Sequence, residues 1–249
     1  MEKITKVVIW LVLAFLSFLV FYRISRDWLW TLALMLMIGL HEGGHLLAAK
    51  CFKLKTGGFY FLPIGGISLT KEEAKTRWQD FWIYFGGPFV GALLVLFLYL
   101  FLEFFGSKLT LSYQIFALSV IFLWSAINLF NLLPIFPLDG GGMLWAIAKS
   151  LWERYSPYGA IVINCLVIGF FWLVSHSWFW TILLLVFGLY IILKMESQEK
   201  IFKKLDMKKW EVAFCFVSYL SLFLFFVFFT WWSGRLVLFL IDSIFGASG

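Results

Sequence analysis

The stretch that decides the fold is Trp28-Leu29-Trp30-Thr31-Leu32-Ala33-Leu34-Met35-Leu36-Met37-Ile38-Gly39-Leu40-His41-Glu42-Gly43-Gly44-His45-Leu46-Leu47-Ala48-Ala49-Lys50. As a helix rising 1.5 Å per residue it covers about 35 Å, enough to cross a hydrocarbon layer of roughly 30 Å. His41, Glu42 and His45 are its only ionisable residues before Lys50. Such groups at membrane depth cost several kcal/mol and mark functional positions. Helix positions i and i+4 share a face, so both imidazoles can reach one metal ion. Glu42, beside the first of them, can hold and deprotonate a water at that metal. The competing reading is a chance pattern of core histidines. The chain has three histidines in all, and two of them fall here. The third, His176, sits between Ser175 and Ser177 and reads as a hydrogen-bonded turn residue.

Working outward, the rest of the chain has the same lipid character. Hydrophobic residues make up 63% and charged residues 14%, which excludes a water-soluble globular domain and intrinsic disorder. Apolar runs at 5–22, 28–50, 82–105, 112–132, 157–174, 177–195 and 211–232 predict an all-α polytopic membrane protein with about seven transmembrane helices. The first run has a basic start but no small-residue cleavage site, so it is expected to remain as a helix. The stretch 236–245 is too short to span and is expected to lie along the interface.

Sorted over seven crossings, only Arg23, Arg26, Lys108 and Arg235 of the 20 Lys and Arg residues fall opposite the N-terminal side. That bias predicts a cytoplasmic N-terminus in a multi-pass protein of the cell membrane. It also explains the net charge of +6 without nucleic acid as a partner. The basic stretch 194–210 reads either as a topogenic cytoplasmic loop on anionic headgroups or as a docking surface for a cytoplasmic partner. Cys51, Cys165 and Cys215 form no ligand or disulfide pattern.

A catalytic zinc site needs a third protein ligand. The fourth run ends in Asn131-Leu132-Leu133-Pro134-Ile135-Phe136-Pro137-Leu138-Asp139-Gly140-Gly141-Gly142. Its two prolines break the helix over 133–138, and broken backbone at membrane depth must line a cavity or water pocket. Asp139 is therefore either a carboxylate ligand or the cap of a following helix over 143–154. Beside the histidine pair the ligand reading is preferred. The second and fourth runs also point the same way across the membrane and bring both motifs to its cytoplasmic half. Glu103 and Glu153 are poorer third ligands, one at the opposite side and one in a charged cytoplasmic stretch.

Together, His-Glu-Gly-Gly-His and the later Asn-x-x-Pro-x-x-Pro-Leu-Asp-Gly resemble the site-2 protease family of intramembrane zinc metalloproteases. Phe61-Leu62-Pro63-Ile64-Gly65-Gly66-Ile67 is similar to that family's membrane-re-entrant β-hairpin, and Gly86-Gly87-Pro88 to its Gly-Pro motif. The resemblance covers about 28–150 and is nearest to a compact bacterial-type form, here without a PDZ or CBS domain. Gly91 and Gly142 depart from it, standing where many relatives have Asn and Arg.

The resemblance implies one Zn2+ per chain, held by His41, His45 and Asp139, with Glu42 as catalytic base. Asn131 would help position substrate, and the hairpin around Gly65 and Gly66, within about 57–70, would offer a strand edge to an unwound peptide. The expected organisation is a single transmembrane protease domain over 1–249. Its three-helix catalytic core lies at 28–150, preceded by an N-terminal helix at 1–27 and followed by accessory helices, the basic loop and the tail at 151–249. The expected reaction is hydrolysis of a peptide bond in or near a transmembrane segment of a membrane protein, such as a tethered regulator. The alternative is a catalytically silent relative that binds membrane helices and regulates another protease. Expected partners are the lipid bilayer, a membrane-protein substrate and a regulatory membrane protein.

Overall fold

The computed structural model describes residues 2–62, 65–152, 156–176, 178–201 and 204–245. Helices α1 (Glu2–Ser25) and α2 (Trp28–Cys51) lead into an antiparallel hairpin, β1 (Thr56–Leu62) and β2 (Gly65–Thr70). Helices α3 (Arg77–Phe105) and α4 (Leu111–Asn131) follow, then α5 (Asp139–Leu151), α6 (Ser156–Ser175), α7 (Trp178–Ile201) and α8 (Lys209–Phe245). Pro63 and Ile64 of the expected hairpin motif lie outside the described residues, as do Glu153 and Arg154.

Helix starts follow local chemistry. Asp27 caps α2, its Oδ1 accepting from the N–H groups of Leu29 at 2.7 Å and Trp30 at 3.0 Å. Thr76 caps α3 through a bond from Gln79 N at 3.1 Å, while Gln79 Oε1 accepts from Lys75 N at 2.8 Å.

Among the described residues, five helical segments are long and apolar enough to cross a membrane: Val7–Ser25, Trp28–Cys51, Arg77–Lys108, Leu111–Asn131 and Lys209–Asp242. The two further spans expected from sequence fall on α6 and α7, where the described residues give the shorter apolar stretch Tyr158–Gly169 on α6. The stretch 236–245 is no separate element: it is the end of a 37-residue α8. Nothing interrupts that helix at Gly234, which packs against α4, with a Cβ there 3.1 Å from the Phe122 ring.

The apolar core is shared by α2, α3, α4, α5 and α8, with Met37, Phe81, Val95, Ile121, Met143 and Phe226 buried at their meeting. The outward faces carry Phe15, Phe97, Phe104, Phe228 and Trp231, as lipid-facing helices do. Helices α2 and α3 meet at Gly44 and Gly86, where a Cβ on Gly44 would overlap the Gly86 carbonyl. Small residues at this crossing bring the two backbones together.

At one end of the bundle, 204–208 lie along the start of α3. Leu205 pairs with Thr76 in a parallel bridge, Arg77 Nε meets Asp206 Oδ1 at 2.7 Å, and Lys204 Nζ meets Asp80 Oδ2 at 2.8 Å. Part of the basic stretch 194–210 is therefore helix α7, and part is strapped to α3.

Candidate metal centre

His41 and His45, one turn apart on α2, turn their Nε2 atoms to a common point 3.2 Å from each other. Asp139 completes the group, its Oδ2 lying 3.0 Å from His41 Nε2 and its Oδ1 3.4 Å from His45 Nε2. Ligands on bonds of about 2.0–2.1 Å at tetrahedral angles stand about 3.3 Å apart, so these spacings fit one zinc-sized ion.

The outer nitrogens say the same. His45 Nδ1 donates to the Ile83 carbonyl at 2.7 Å, and His41 Nδ1 donates to Asn128 Oδ1 at 3.2 Å. With both protons on Nδ1, two Nε2 lone pairs and a carboxylate converge on one spot, an arrangement that calls for a cation. All three groups are nearly excluded from solvent, where an uncompensated carboxylate would be costly.

Each ligand has a local reason for its place. The glycine at 87 makes room for the imidazoles: a Cβ there would overlap His45 Nε2 and lie 2.8 Å from His41 Nε2. Asp139 is the first residue of α5, whose N-cap is Leu138 with no side-chain cap bond. The capping alternative for Asp139 is therefore not what forms, because its carboxyl points to the histidines instead. The break over 133–138 carries the chain from α4 to that position. A Cβ at Gly141 would lie 2.6 Å from the Ile135 carbonyl carbon, so a larger residue would push the break off the start of α5.

Freed backbone groups in the break find partners on the accessory helices. Tyr219 of α8 donates its hydroxyl to the Leu132 carbonyl at 2.6 Å, and Phe136 N donates to Asn164 Oδ1 of α6 at 3.0 Å. Irregular backbone in lipid persists only when satisfied in this way. Asn164 carries a signal in the sequence, as a rare polar residue in the apolar run 157–174; Tyr219, one aromatic among many, carries none.

Glu42 is buried beside His41, and the hairpin closes over it. A Cβ at Gly66 would lie 2.6 Å from Glu42 Cγ and 2.8 Å from Ile38 Cγ2. Gly65, paired with Leu62, has open space at the same position, so only one of the two expected hairpin glycines abuts the site. Helix α1 braces the hairpin, with Trp10 6.3 Å from Phe59 and 6.0 Å from Phe61 between ring centres. Asn131 also reaches the site, its Nδ2 3.4 Å from His41 Nε2.

Glu103 is exposed near the end of α3 and takes no part in the cluster, while Glu153 lies outside the described residues. His176 lies between α6 and α7, its N–H donating to the Trp172 carbonyl at 2.8 Å. The two departures from the family pattern have local causes. A Cβ at Gly91 would lie 2.6 Å from Asn128 Oδ1, and one at Gly142 would lie 2.6 Å from the Tyr84 ring, so neighbouring side chains already fill both places.

Residues 29–121 match Peptidase family M50. A candidate zinc metalloprotease of Synechocystis sp. is 30% identical over 171 residues, covering 59% of this chain and 44% of that protein. A zinc metalloprotease of Methanocaldococcus jannaschii is 32% identical over 117 residues, covering 47% of this chain and 33% of that protein. The chain thus spans less than half the length of either relative. The match and both relatives support the site-2 protease family.

Proposed function

We propose that this chain is a member of the site-2 protease family and acts as an intramembrane zinc metalloprotease. The observation that carries the proposal is the convergence of His41 Nε2, His45 Nε2 and the Asp139 carboxylate, with both Nδ1 protons committed outward. His41, His45 and Asp139 would hold one zinc ion, and the relatives' names agree with that metal. Bound there, zinc supplies a Lewis acid that brings the pKa of water towards neutrality and polarises a carbonyl.

The chain's own residues supply the rest. Glu42 takes the proton of the attacking water and delivers it to the leaving amine as the carbon–nitrogen bond breaks. Asn131 Nδ2, turned into the site, donates to the oxygen on which charge develops. A helical substrate hides its carbonyls in its own hydrogen bonds, so it must unwind before attack. The hairpin at Gly65 and Gly66 offers backbone groups beside Glu42 to which the unwound strand can pair.

The substrate class in this reading is a membrane protein with a transmembrane segment, cut in or near it, such as a tethered regulator. Lys50, Lys55, Arg77, Lys149, Lys204 and Lys208 flank the segments that meet at one end of the bundle, which supports a cytoplasmic orientation for the N-terminus and the site. The core over 28–150 and the accessory helices act as one unit here, because Asn164 and Tyr219 hold the segment leading to Asp139.

The test is zinc-dependent cleavage of a single-span substrate in proteoliposomes, comparing wild type with Glu42→Gln. Cleavage by wild type alone is expected. Equal cleavage by both, or none by zinc-loaded wild type across a panel of single-span substrates, would reject the reading.

A further inference from the structure

Asn128 lies one helical turn before Asn131 on α4 and is 1% exposed. Its amide is held at both ends: Nδ2 donates to the Trp124 carbonyl at 3.0 Å, and Oδ1 faces His41 Nδ1 at 3.2 Å. Because the NH2 group is committed to a carbonyl, the atom presented to the imidazole is an acceptor. An acceptor at Nδ1 selects the tautomer that leaves the Nε2 lone pair facing Asp139 and His45.

Space for this amide comes from α3. A Cβ on Gly91 would lie 2.6 Å from Asn128 Oδ1 and 2.8 Å from both its Cγ and its Nδ2. Real side-chain carbons do not come so close, so any residue but glycine at 91 would push the amide away from the imidazole. His45 needs no such device, because the Ile83 backbone carbonyl serves it.

We propose that Asn128 is a positioning residue of the metal centre: it fixes the tautomer and ring plane of His41, and Gly91 provides the space that lets it do so. The proposal rests on the reading of His41 as a zinc ligand. An amide that merely joined α4 to α3 would change fold stability and metal affinity together. A positioning amide separates them.

The experiment measures Zn2+ affinity of the full chain in nanodiscs by competition with a chromophoric chelator, alongside the thermal midpoint of the zinc-free protein. Asn128→Ala is expected to weaken zinc binding about 10–100-fold, the usual cost of losing an outer-shell partner of a ligating histidine. Gly91→Ala is expected to weaken it in the same direction by displacing the amide. Asn128→Asp keeps an acceptor at Nδ1, so affinity returns towards wild type while the thermal midpoint falls, because a carboxyl is buried and the bond to the Trp124 carbonyl is lost.

Unchanged affinity in Asn128→Ala, or an Asp variant as weak as Ala, overturns the proposal and leaves the zinc reading standing. Should Asn128→Ala fail to assemble, unchanged affinity in Gly91→Ala overturns it equally. Wild type that binds no zinc overturns both.

Discussion

Gly66→Ala is the sharpest perturbation available at the site, because it moves the proposed base without touching a ligand. The added Cβ would stand 2.6 Å from Glu42 Cγ and 2.8 Å from Ile38 Cγ2. Carbon atoms settle at about 3.5–4.0 Å, so either the Glu42 side chain or the hairpin must retreat by about 1 Å. A misplacement of that size costs on the order of 100-fold in rate, which is about 2.7 kcal/mol of barrier. The expected outcome is kcat/KM down about 100-fold with zinc content and thermal midpoint near wild type. A fall mainly in kcat would report displacement of Glu42, and a rise mainly in KM displacement of the strand edge. Steady-state cleavage of a single-span substrate in proteoliposomes, with zinc measured on the same samples, reads both. Activity within about threefold of wild type would refute the reasoning, since a 1 Å shift at the base could not then matter.

Three further outcomes follow from the same geometry. Glu42→Gln should keep one zinc per chain and lose cleavage, whereas loss of zinc in that variant would make Glu42 a ligand rather than the base. Tyr219→Phe leaves the buried Leu132 carbonyl without its donor, so it should lower stability by about 1–3 kcal/mol in denaturant titration and reduce zinc retention; an unchanged midpoint would show that α8 does not hold the break. At the base of the hairpin, Glu72 Oε1 pairs with Lys55 Nζ at 2.9 Å, and the hydrogen bond from that ammonium holds the Glu72 carboxyl below its ordinary range. A lowered folded value means that the pair contributes fully above the ordinary glutamate range and is lost as pH falls through the lowered value. The protection factor of the Lys55 amide, whose N–H donates to Glu72 Oε2, should fall on acidification through that window, and Glu72→Gln should remove that change in protection.

The sequence made the metal centre readable because its chemistry is expensive in lipid. His41, Glu42 and His45 stand out in an apolar run, and helical spacing alone puts the two imidazoles on one face. Asp139 was readable through Pro134 and Pro137, since a broken helix at membrane depth must line a site. The hairpin was different: Phe59 and Phe61 alternate in a run too short to separate strand from loop, and only resemblance located it. The C-terminal boundary was the least legible feature. The apolar run ends near residue 232, with a polar Ser-Gly-Arg after it, while α8 continues through Gly234 to Phe245. The roles of Gly66, Gly87 and Gly91 were beyond the sequence, because each depends on which side chain of another element fills the missing Cβ position.

The central claim is that α2 and α5 share one divalent ion. X-ray absorption at the zinc edge of the purified full chain tests it most directly. The account predicts a first shell of nitrogen and oxygen alone at about 2.0–2.1 Å, with the outer scattering of two imidazoles and one fewer protein oxygen in Asp139→Ala. A sulfur shell at about 2.3 Å, or a spectrum unaltered by Asp139→Ala, would contradict it.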